Sequence, residues 1–246
     1  MKNEINRIAG RLVKAFNTNT VINPIPVKYC KNINLANKLR KLCEDQIKDE
    51  TIGIKAGGTG IQALKKLKEK EPFTAKVFKK RLVKSGQKVK INQHTKGIEV
   101  EVYYFIKKSF FDFKGKVTKS NVTKFIKFMG PCFEIVGFRQ KNKKFTYLGD
   151  ICGDFGFNIK FVLGRKTKFK KLNLNNLKTS LVSKKNGVKV NGNTNIVYIT
   201  PLNSLRFVLN KVKKEKINLN KDFYVFTGST VGVVPFIGKG LYKGTI

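Results

Sequence analysis

The 246-residue chain is long enough to bury a core, and its 41% hydrophobic content, with 20 Phe, supports a folded globule. The net charge is +37, but 45 Lys against only 7 Arg, spread along the chain, are not typical of specific phosphate or base recognition. We therefore predict no specific nucleic-acid partner and a cationic surface that attracts small anions. No apolar run reaches about 18 residues, so we predict no membrane span and a cytoplasmic protein.

The cysteines and the single histidine limit the possible sites further. The four cysteines lack zinc-finger spacing, and we expect reduced, buried thiols. His94 would have to serve any Ser-His-Asp or Cys-His mechanism, and we expect it instead at the surface or at the start of a strand.

The first 50 residues are predicted to be helical. Apolar residues recur at helical spacing from Ile5 to Phe16, and a second helix is predicted over 34–46, capped by Asn34. We expect residues 1–50 to pack as a helical segment against a β-rich core, 51–246, within a single domain.

A short strand then leads into a glycine turn. Residues 51–60 read TIGIKAGGTG, and a helix is predicted from Ile61 to about Lys70. Gly57 and its neighbours permit a close approach of a ligand to the backbone, although the Gly-Lys-Ser/Thr ending of a phosphate-binding loop is missing. Lys55 lies in this strand, and by residue type alone it could equally be a solvated lysine.

Three carboxylates occur in apolar strands, in a chain with only 15 Asp and Glu. Glu99 and Glu101 share one face of a strand over 98–106, and Glu134 lies in the next such run. A helix is predicted between them, from Thr118 or Ser120 to Met129. Three converging oxygen ligands suit Mg²⁺ or Mn²⁺; the alternative is that these acids pair with neighbouring lysines.

The second half of the chain alternates strands with one long helix. We predict a strand ending at 161–164, a hairpin over 181–190 with an Asn186-Gly187 type I′ turn, and a helix over 201–213. A last strand, 223–226, leads into Thr227-Gly228-Ser229. This pattern predicts an α+β fold.

Several of these segments, in this order, resemble the 2-keto-4-pentenoate hydratase and 4-oxalocrotonate decarboxylase family of the fumarylacetoacetate hydrolase superfamily. The similar motifs are the G-x-K-x-G turn at 53–57, the E-x-E strand at 99–101, F-E-I-V with Arg139, Asp154 with F-V-L-G at 161–164, P-L-N at 201–203 and T-G-S at 227–229.

The resemblance implies a layered mixed β-roll with peripheral helices. It implies that Glu99, Glu101 and Glu134 hold Mg²⁺ or Mn²⁺, which stabilises the enolate of a small anionic 2-oxo acid. Lys55 would be the catalytic cation. Substrate-binding roles would fall to Gly57, Arg139, Asp154, Thr227, Gly228 and Ser229. A homo-oligomer is also expected.

The chain departs from the family pattern around the expected site. Phe73, Phe138 and Phe155 replace polar residues, and Tyr103 replaces a small one. We predict a hydratase of the aromatic-catabolism type. A decarboxylase, hydrolase or tautomerase of the same superfamily and a non-catalytic cationic binding protein on the same fold are the alternatives.

Overall fold

The structure is a computed structural model that describes residues 2–91, 94–169 and 174–246. The helices in these ranges are α1 (Lys2–Thr18), α2 (Lys28–Lys31), α3 (Ile33–Glu44), α4 (Ile61–Lys66), α5 (Leu148–Cys152) and α6 (Pro201–Lys214). The strands are β1 (Thr51–Gly57), β2 (Phe73–Phe78), β3 (Leu82–Lys84), β4 (Thr95–Ile106), β5 (Ile126–Gly137), β6 (Asn158–Leu163), β7 (Lys178–Ser183), β8 (Val188–Asn193), β9 (Phe223–Ser229), β10 (Val234–Pro235) and β11 (Lys243–Thr245). The predicted α+β class is confirmed.

One mixed sheet dominates the fold, in the order β2-β1-β9-β4-β5-β6-β3, with β10 paired to the start of β4. The pairs β1–β9 and β3–β6 are parallel, and the others are antiparallel. Val77 of β2 packs in one cluster with Phe161 of β6 and Leu82 of β3, which lie at the opposite edge. The sheet therefore curls until its edges approach each other, forming a β-roll.

Side chains of the central strand β4 point alternately to the inside of the roll and to its outer face. Its odd-numbered residues Glu99, Glu101 and Tyr103 point into the roll, and Val102 and Tyr104 point to the outer face. There α6 covers the sheet with its apolar stripe, which comprises Leu205, Val208, Leu209 and Val212. This outer core leaves the inner face of β4 for polar groups.

The N-terminal helices cover another side of the roll. The predicted first helix is confirmed, and its buried residues pack with Phe78 of β2 and with Phe155. The predicted second helix is also confirmed, but the cap is wrong: Asn32, one residue before the helix, accepts hydrogen bonds from the backbone N–H groups of Asn34 and Leu35. No helix of the described ranges has the length and apolarity needed to cross a bilayer.

Two further turn and helix predictions are wrong. The segment 118–129 is not a helix: a 3-10 turn, Val122–Phe125, is followed by β5 from Ile126. The strand continues through Pro131 because β5 pairs along almost the whole of β4, and this long-range pairing outweighs the local stop signal. The helix after the glycine turn ends at Lys66 instead of near Lys70.

The predicted hairpin is confirmed as β7–β8, which forms a second sheet with β11. Its connection is longer than a two-residue type I′ turn, because residues Lys184–Asn186 form a 3-10 turn and Gly187 closes it with φ of 65°.

The four cysteines are buried and free, as predicted. His94 lies immediately before β4 and is buried, and its Nε2 is 2.7 Å from the Asn19 carbonyl oxygen.

Candidate metal centre

The three predicted acids meet inside the roll. The antiparallel register of β4 and β5 places Glu99 directly opposite Glu134, and Glu101 lies one pair further along the same face. One carboxylate oxygen from each of the three lies within 4.8 Å of the other two. The sequence prediction that these side chains converge is confirmed.

The cluster is buried on one side and open on the other. Glu101 and Glu134 are fully buried, with 0% of each residue exposed, whereas Glu99 is partly exposed. A small ligand would therefore reach the group from the side of Glu99.

Lys55 of β1 also enters the cluster. Its Nζ donates to Glu134 Oε1 at 2.5 Å, to Glu134 Oε2 at 2.8 Å and to the Gly156 carbonyl at 2.9 Å. With 3% of its surface exposed, Lys55 is not a solvated lysine. All three ammonium hydrogens have acceptors in this arrangement.

The charges of the cluster do not balance. Three carboxylates and one ammonium would carry two net negative charges if all were ionised. Burial, followed by the charge of Glu134, raises the pKa of Glu99 to about 8. Burial and the neighbouring carboxylates hold the pKa of Glu101 well above its usual range. Without a further cation, protons must therefore remain on the cluster at neutral pH.

Lys55 and Glu134 respond differently to the same surroundings. Burial is the largest single influence on Lys55 and favours the neutral amine, but the three neighbouring carboxylates and the hydrogen bond to Glu134 together raise the pKa of Lys55, which stays protonated. Burial also raises the pKa of Glu134, although the charge of Lys55 and its hydrogen bonds act in the opposite direction.

Glu101 has one satisfied and one unsatisfied oxygen. Its Oε2 accepts the Gly228 backbone N–H at 3.0 Å. Among the described residues, its buried Oε1 has no hydrogen-bond partner. An orphaned buried carboxylate oxygen is costly unless a proton or a cation reaches it.

The donor set fits a hard divalent cation. All three groups are oxygen donors, the orphaned Oε1 of Glu101 is available, and one divalent ion would cancel the two net negative charges. Mg²⁺ and Mn²⁺ both meet these requirements, and Glu99, Glu101 and Glu134 are the residues that would hold either.

Gly228 has φ of +106°, a value that favours glycine. A Cβ there would lie 2.0 Å from Thr59 Oγ1, so the site also requires the absence of a side chain. Thr59 lies in the glycine turn of the sequence, but sequence reasoning missed its contact with Gly228.

A strained turn supplies the third acceptor of Lys55. Phe155, Gly156 and Phe157 have φ values of 52°, 68° and 70°, and two of them are not glycine. A Cβ at Gly156 would meet that of Ala75 at 2.7 Å. The turn therefore brings the Gly156 carbonyl close to the ammonium, a role that sequence reasoning missed.

Arg139 and Asp154, predicted to bind substrate, bond to each other. Arg139 Nη1 donates to Asp154 Oδ1 at 3.2 Å, and the Arg139 backbone N–H donates to Asp154 Oδ2 at 2.8 Å. Both are buried, and the guanidinium also lies against the rings of Phe16 and Phe155. Asp154 directly precedes the strained turn, so this pair can position Gly156.

The remaining predicted residues lie near the cluster on its strands. Gly57 ends β1, and a Cβ there would meet the ring of Phe73 at 2.3 Å. Ser229 pairs with Glu101 across the sheet, but its hydroxyl donates to the Gly232 carbonyl. The Thr227 hydroxyl donates to the Val102 carbonyl. Within the part of the chain that the structure describes, no side-chain hydrogen bond joins these three residues to Glu99, Glu101 or Glu134.

Aromatic rings fill the roll beside the cluster. Tyr103, two residues after Glu101, packs with Phe226 and Phe161, and its hydroxyl is 3.4 Å from the Gly164 carbonyl oxygen. Phe155 stacks on Phe16 at 4.3 Å, and Phe138 packs on Phe157. Of these replacements, Tyr103 therefore makes the inside of the roll apolar beside Glu101, whereas Phe155 packs with α1.

Comparison with known proteins identifies the fold. No protein-family model and no curated protein matches the sequence. The structure is similar to 4-oxalocrotonate decarboxylase from Pseudomonas putida G7, complexed with magnesium and adipate, with a TM-score of 0.85 and 17% identity over 99% of this chain and 94% of that one.

Two more distant structures agree. One is 5-carboxymethyl-2-hydroxymuconate delta-isomerase from Mycobacterium smegmatis, with a TM-score of 0.52 and 13% identity over 76% of this chain and 70% of that chain. The other is a Yersinia pestis CO92 protein assigned to the fumarylacetoacetate hydrolase family, with a TM-score of 0.54 and 14% identity over 81% and 90%. The predicted fold, a fumarylacetoacetate-hydrolase-like mixed β-roll, is confirmed.

Proposed function

We propose that the chain is a divalent-metal-dependent enzyme that decarboxylates a small 2-oxo dicarboxylic acid. The carboxylate conjugated with the 2-oxo group would leave as CO₂, and the electron pair of the broken C–C bond would form an enolate that then takes up a proton. The observation that carries this proposal is the buried set Glu99, Glu101 and Glu134, with two negative charges beyond what Lys55 can balance. The magnesium and adipate bound to the similar decarboxylase support the same chemistry.

The metal, held by the three glutamates, would stabilise negative charge on the carboxylate and 2-oxo oxygens of the substrate. Lys55 carries its proton at neutral pH, so it supplies positive charge and hydrogen bonds and does not act as a general base. The Gly228 N–H fixes one oxygen of Glu101 and thereby the orientation of that carboxylate.

The apolar surroundings favour decarboxylation over hydration. Loss of CO₂ from an activated 2-oxo acid needs an electron sink and a dry site, whereas addition of water needs polar groups that orient the water. Phe73 and Phe155 occupy two positions where such groups were expected, and Phe73 packs directly against Gly57.

Hydration of a 2-hydroxydienoate is the second candidate, since the order of the sequence motifs favours it. Proton transfer without loss of carbon, as in a tautomerase, would use the same residues. The predictions of a cytoplasmic homo-oligomer and of substrate contacts from Gly57, Thr227, Gly228 and Ser229 also stay proposals.

An ultraviolet assay with two substrates tests the function. We expect 4-oxalocrotonate to lose its absorbance with release of CO₂ in the presence of Mg²⁺ or Mn²⁺, and to be stable in EDTA. Turnover of 2-hydroxypenta-2,4-dienoate without release of CO₂ would show that the enzyme is a hydratase and not a decarboxylase.

The Glu101→Gln variant is the matched control, because it keeps the side-chain shape and removes one anionic ligand. Metal-dependent turnover should disappear in it. If neither substrate reacts with the wild-type protein at any tested metal concentration, the enzyme proposal is wrong and the non-catalytic binding protein takes its place.

A further inference from the structure

A second concave site lies apart from the metal centre, between α4 and the start of α6. It is a surface cavity of about 370 Å³. This volume suits a small organic ligand. The residues that line it share two properties, apolar side chains on the walls and cationic groups at the rim, and its main members are Ile61, Leu64, Lys65, Tyr198, Ile199 and Arg206.

The apolar wall is built on strained backbone. Tyr198 and Ile199 have φ values of 42° and 76°, which a β-branched residue such as isoleucine rarely adopts. Two hydrogen bonds hold the segment, from Tyr198 N–H to the Thr59 carbonyl at 2.9 Å and from Asn203 Nδ2 to the Tyr198 carbonyl at 2.8 Å. Ile199 remains 61% exposed at the cavity, so its apolar surface is not used by the fold.

The cavity also has an excess of positive charge. Four cationic side chains line it, those of Lys65, Lys70, Lys119 and Arg206, against one carboxylate, that of Glu69. Within the described ranges, the ion pairs of the structure include none of these five groups. The cavity therefore has a local excess of positive charge that these ion pairs do not neutralise.

Arg206 is the cation with the most defined position. Its Nη2 donates to Asn203 Oδ1 at 2.7 Å, which orients the guanidinium. Its Nε is buried and has no hydrogen-bond partner among the described residues. Its Nη1 likewise has no hydrogen-bond partner among the described residues, so the guanidinium retains donors for an anionic ligand.

We propose that this cavity binds a small organic anion that carries an apolar ring or chain, with the anionic group on Arg206 and the apolar part against Leu64, Tyr198 and Ile199. The shared ligand chemistry is a carboxylate or a phosphoryl group on an apolar body. Arg206 can form paired hydrogen bonds with either anionic group.

The site is separate from the metal centre, and it goes beyond the proposed reaction. The lining residues include none of Glu99, Glu101, Glu134 and Lys55. The β1–α4 turn lies between the two sites, because Thr59 accepts from Tyr198 on the cavity side and packs against Gly228 on the metal side. Binding in the cavity therefore does not require the metal.

Calorimetry with benzoate and phenyl phosphate tests the proposal on the full chain. Both should bind, and the tighter of the two identifies the preferred anionic group. Inorganic phosphate and neutral benzamide should each bind at least about tenfold more weakly, because each lacks one of the two features. Arg206→Gln should weaken benzoate binding by about 10–100-fold. Arg11→Gln, on the exposed face of α1, is the matched control and should change nothing.

A second measurement covers the case in which Arg206→Gln fails to fold. In methyl NMR spectra of the wild-type protein, benzoate should shift the signals of Ile61 and Ile199. The proposal is overturned if those signals do not move, if Arg206→Gln folds and binds benzoate as tightly as wild type, or if EDTA or Glu101→Gln abolishes the binding. The last result would place the anion at the metal centre instead.

Discussion

The Lys55 cluster and the Arg139–Asp154 pair are both buried ionic groups, but they differ in balance. Asp154 has one cationic partner, and its two oxygens accept from Arg139 and from Gln140 Nε2. Glu99, Glu101 and Glu134 share a single ammonium, and Glu101 keeps an orphaned oxygen. Both groups are buried, so burial alone does not distinguish a functional site from a structural ion pair. The difference is that the three glutamates have too few cationic partners.

The strongest test of this comparison is Glu101→Gln. We expect loss of Mn²⁺ binding by a factor on the order of 10³ or more, since an anionic ligand becomes a neutral amide in a site with few others. The metal-free protein should be about as stable as wild type, because the raised pKa of Glu101 keeps its carboxyl group protonated there and a neutral amide replaces a neutral acid. Calorimetry with Mn²⁺ and thermal melts in EDTA measure the two effects.

Glu44→Gln is the control for that experiment. Glu44 is buried and paired with Arg40 at 2.6 Å, so its charge is balanced. The variant should melt at a lower temperature and bind Mn²⁺ as wild type does. Unchanged Mn²⁺ affinity in Glu101→Gln as well would remove the proposed metal centre.

The second prediction concerns Lys55→Met, which keeps the apolar stem and deletes the charge. We expect kcat/KM on the decarboxylation substrate to fall by about 10²–10³, as for the loss of one preorganised donor. The metal-free variant should also lose up to about 3–5 kcal/mol in the free energy of unfolding at neutral pH, because Glu134 is left without its partner.

Two measurements separate these effects. Saturating Mn²⁺ should restore much of the lost stability of Lys55→Met, and so should a second substitution, Glu134→Gln. Lys55→Met with wild-type kcat/KM would show that Lys55 is only the structural partner of Glu134.

The third prediction concerns the balanced Arg139–Asp154 pair. A substitution there should lower the stability and leave Mn²⁺ binding nearly unchanged. Asp154→Asn leaves the Arg139 guanidinium buried without a carboxylate, and we expect a loss of about 3–5 kcal/mol in the free energy of unfolding. Its Mn²⁺ affinity should stay within about twofold of wild type, as for a distant site. A larger change in affinity would show that the strained turn at Gly156 transmits the position of Asp154 to the cluster.

The last prediction is a pH dependence of the metal-free protein. The folded-state pKa of Glu99, about 8, lies above its ordinary value of 4.5, so the folded state binds the proton more tightly. The stability that this proton contributes is present below about pH 4.5 and is lost as pH rises to about 8, at up to about 1.4 kcal/mol per unit.

Mg²⁺ should reverse that trend, because it requires the deprotonated carboxylates. The rise in melting temperature on adding Mg²⁺ should be larger at pH 8.5 than at pH 6. Glu99→Gln has no titrating group at this position, and its metal-free melting temperature should depend less on pH. An equal Mg²⁺ effect at both pH values in the wild type would contradict proton release on binding.

Local sequence patterns predicted several of the strands and the acids that they carry. A period of two placed Glu99 and Glu101 on one face, and helical periodicity found α1 and α6. These signals are local, because each depends on residues within about two turns or one strand. The order of the motifs was enough to predict the β-roll.

Long-range packing determines where those acids meet and which of their charges are balanced. The antiparallel register set Glu99 opposite Glu134, and the pairing of β4 with β5 overrode the predicted helix before Pro131. Lys55 contacts Glu134, which lies 79 positions later in the sequence. Arg139 is paired with Asp154 and is not exposed to solvent. Such partners depend on long-range packing. From the sequence alone, each of the 15 acids could be either a metal ligand or an ion-pair partner, and the fold determines which side chains lie beside it.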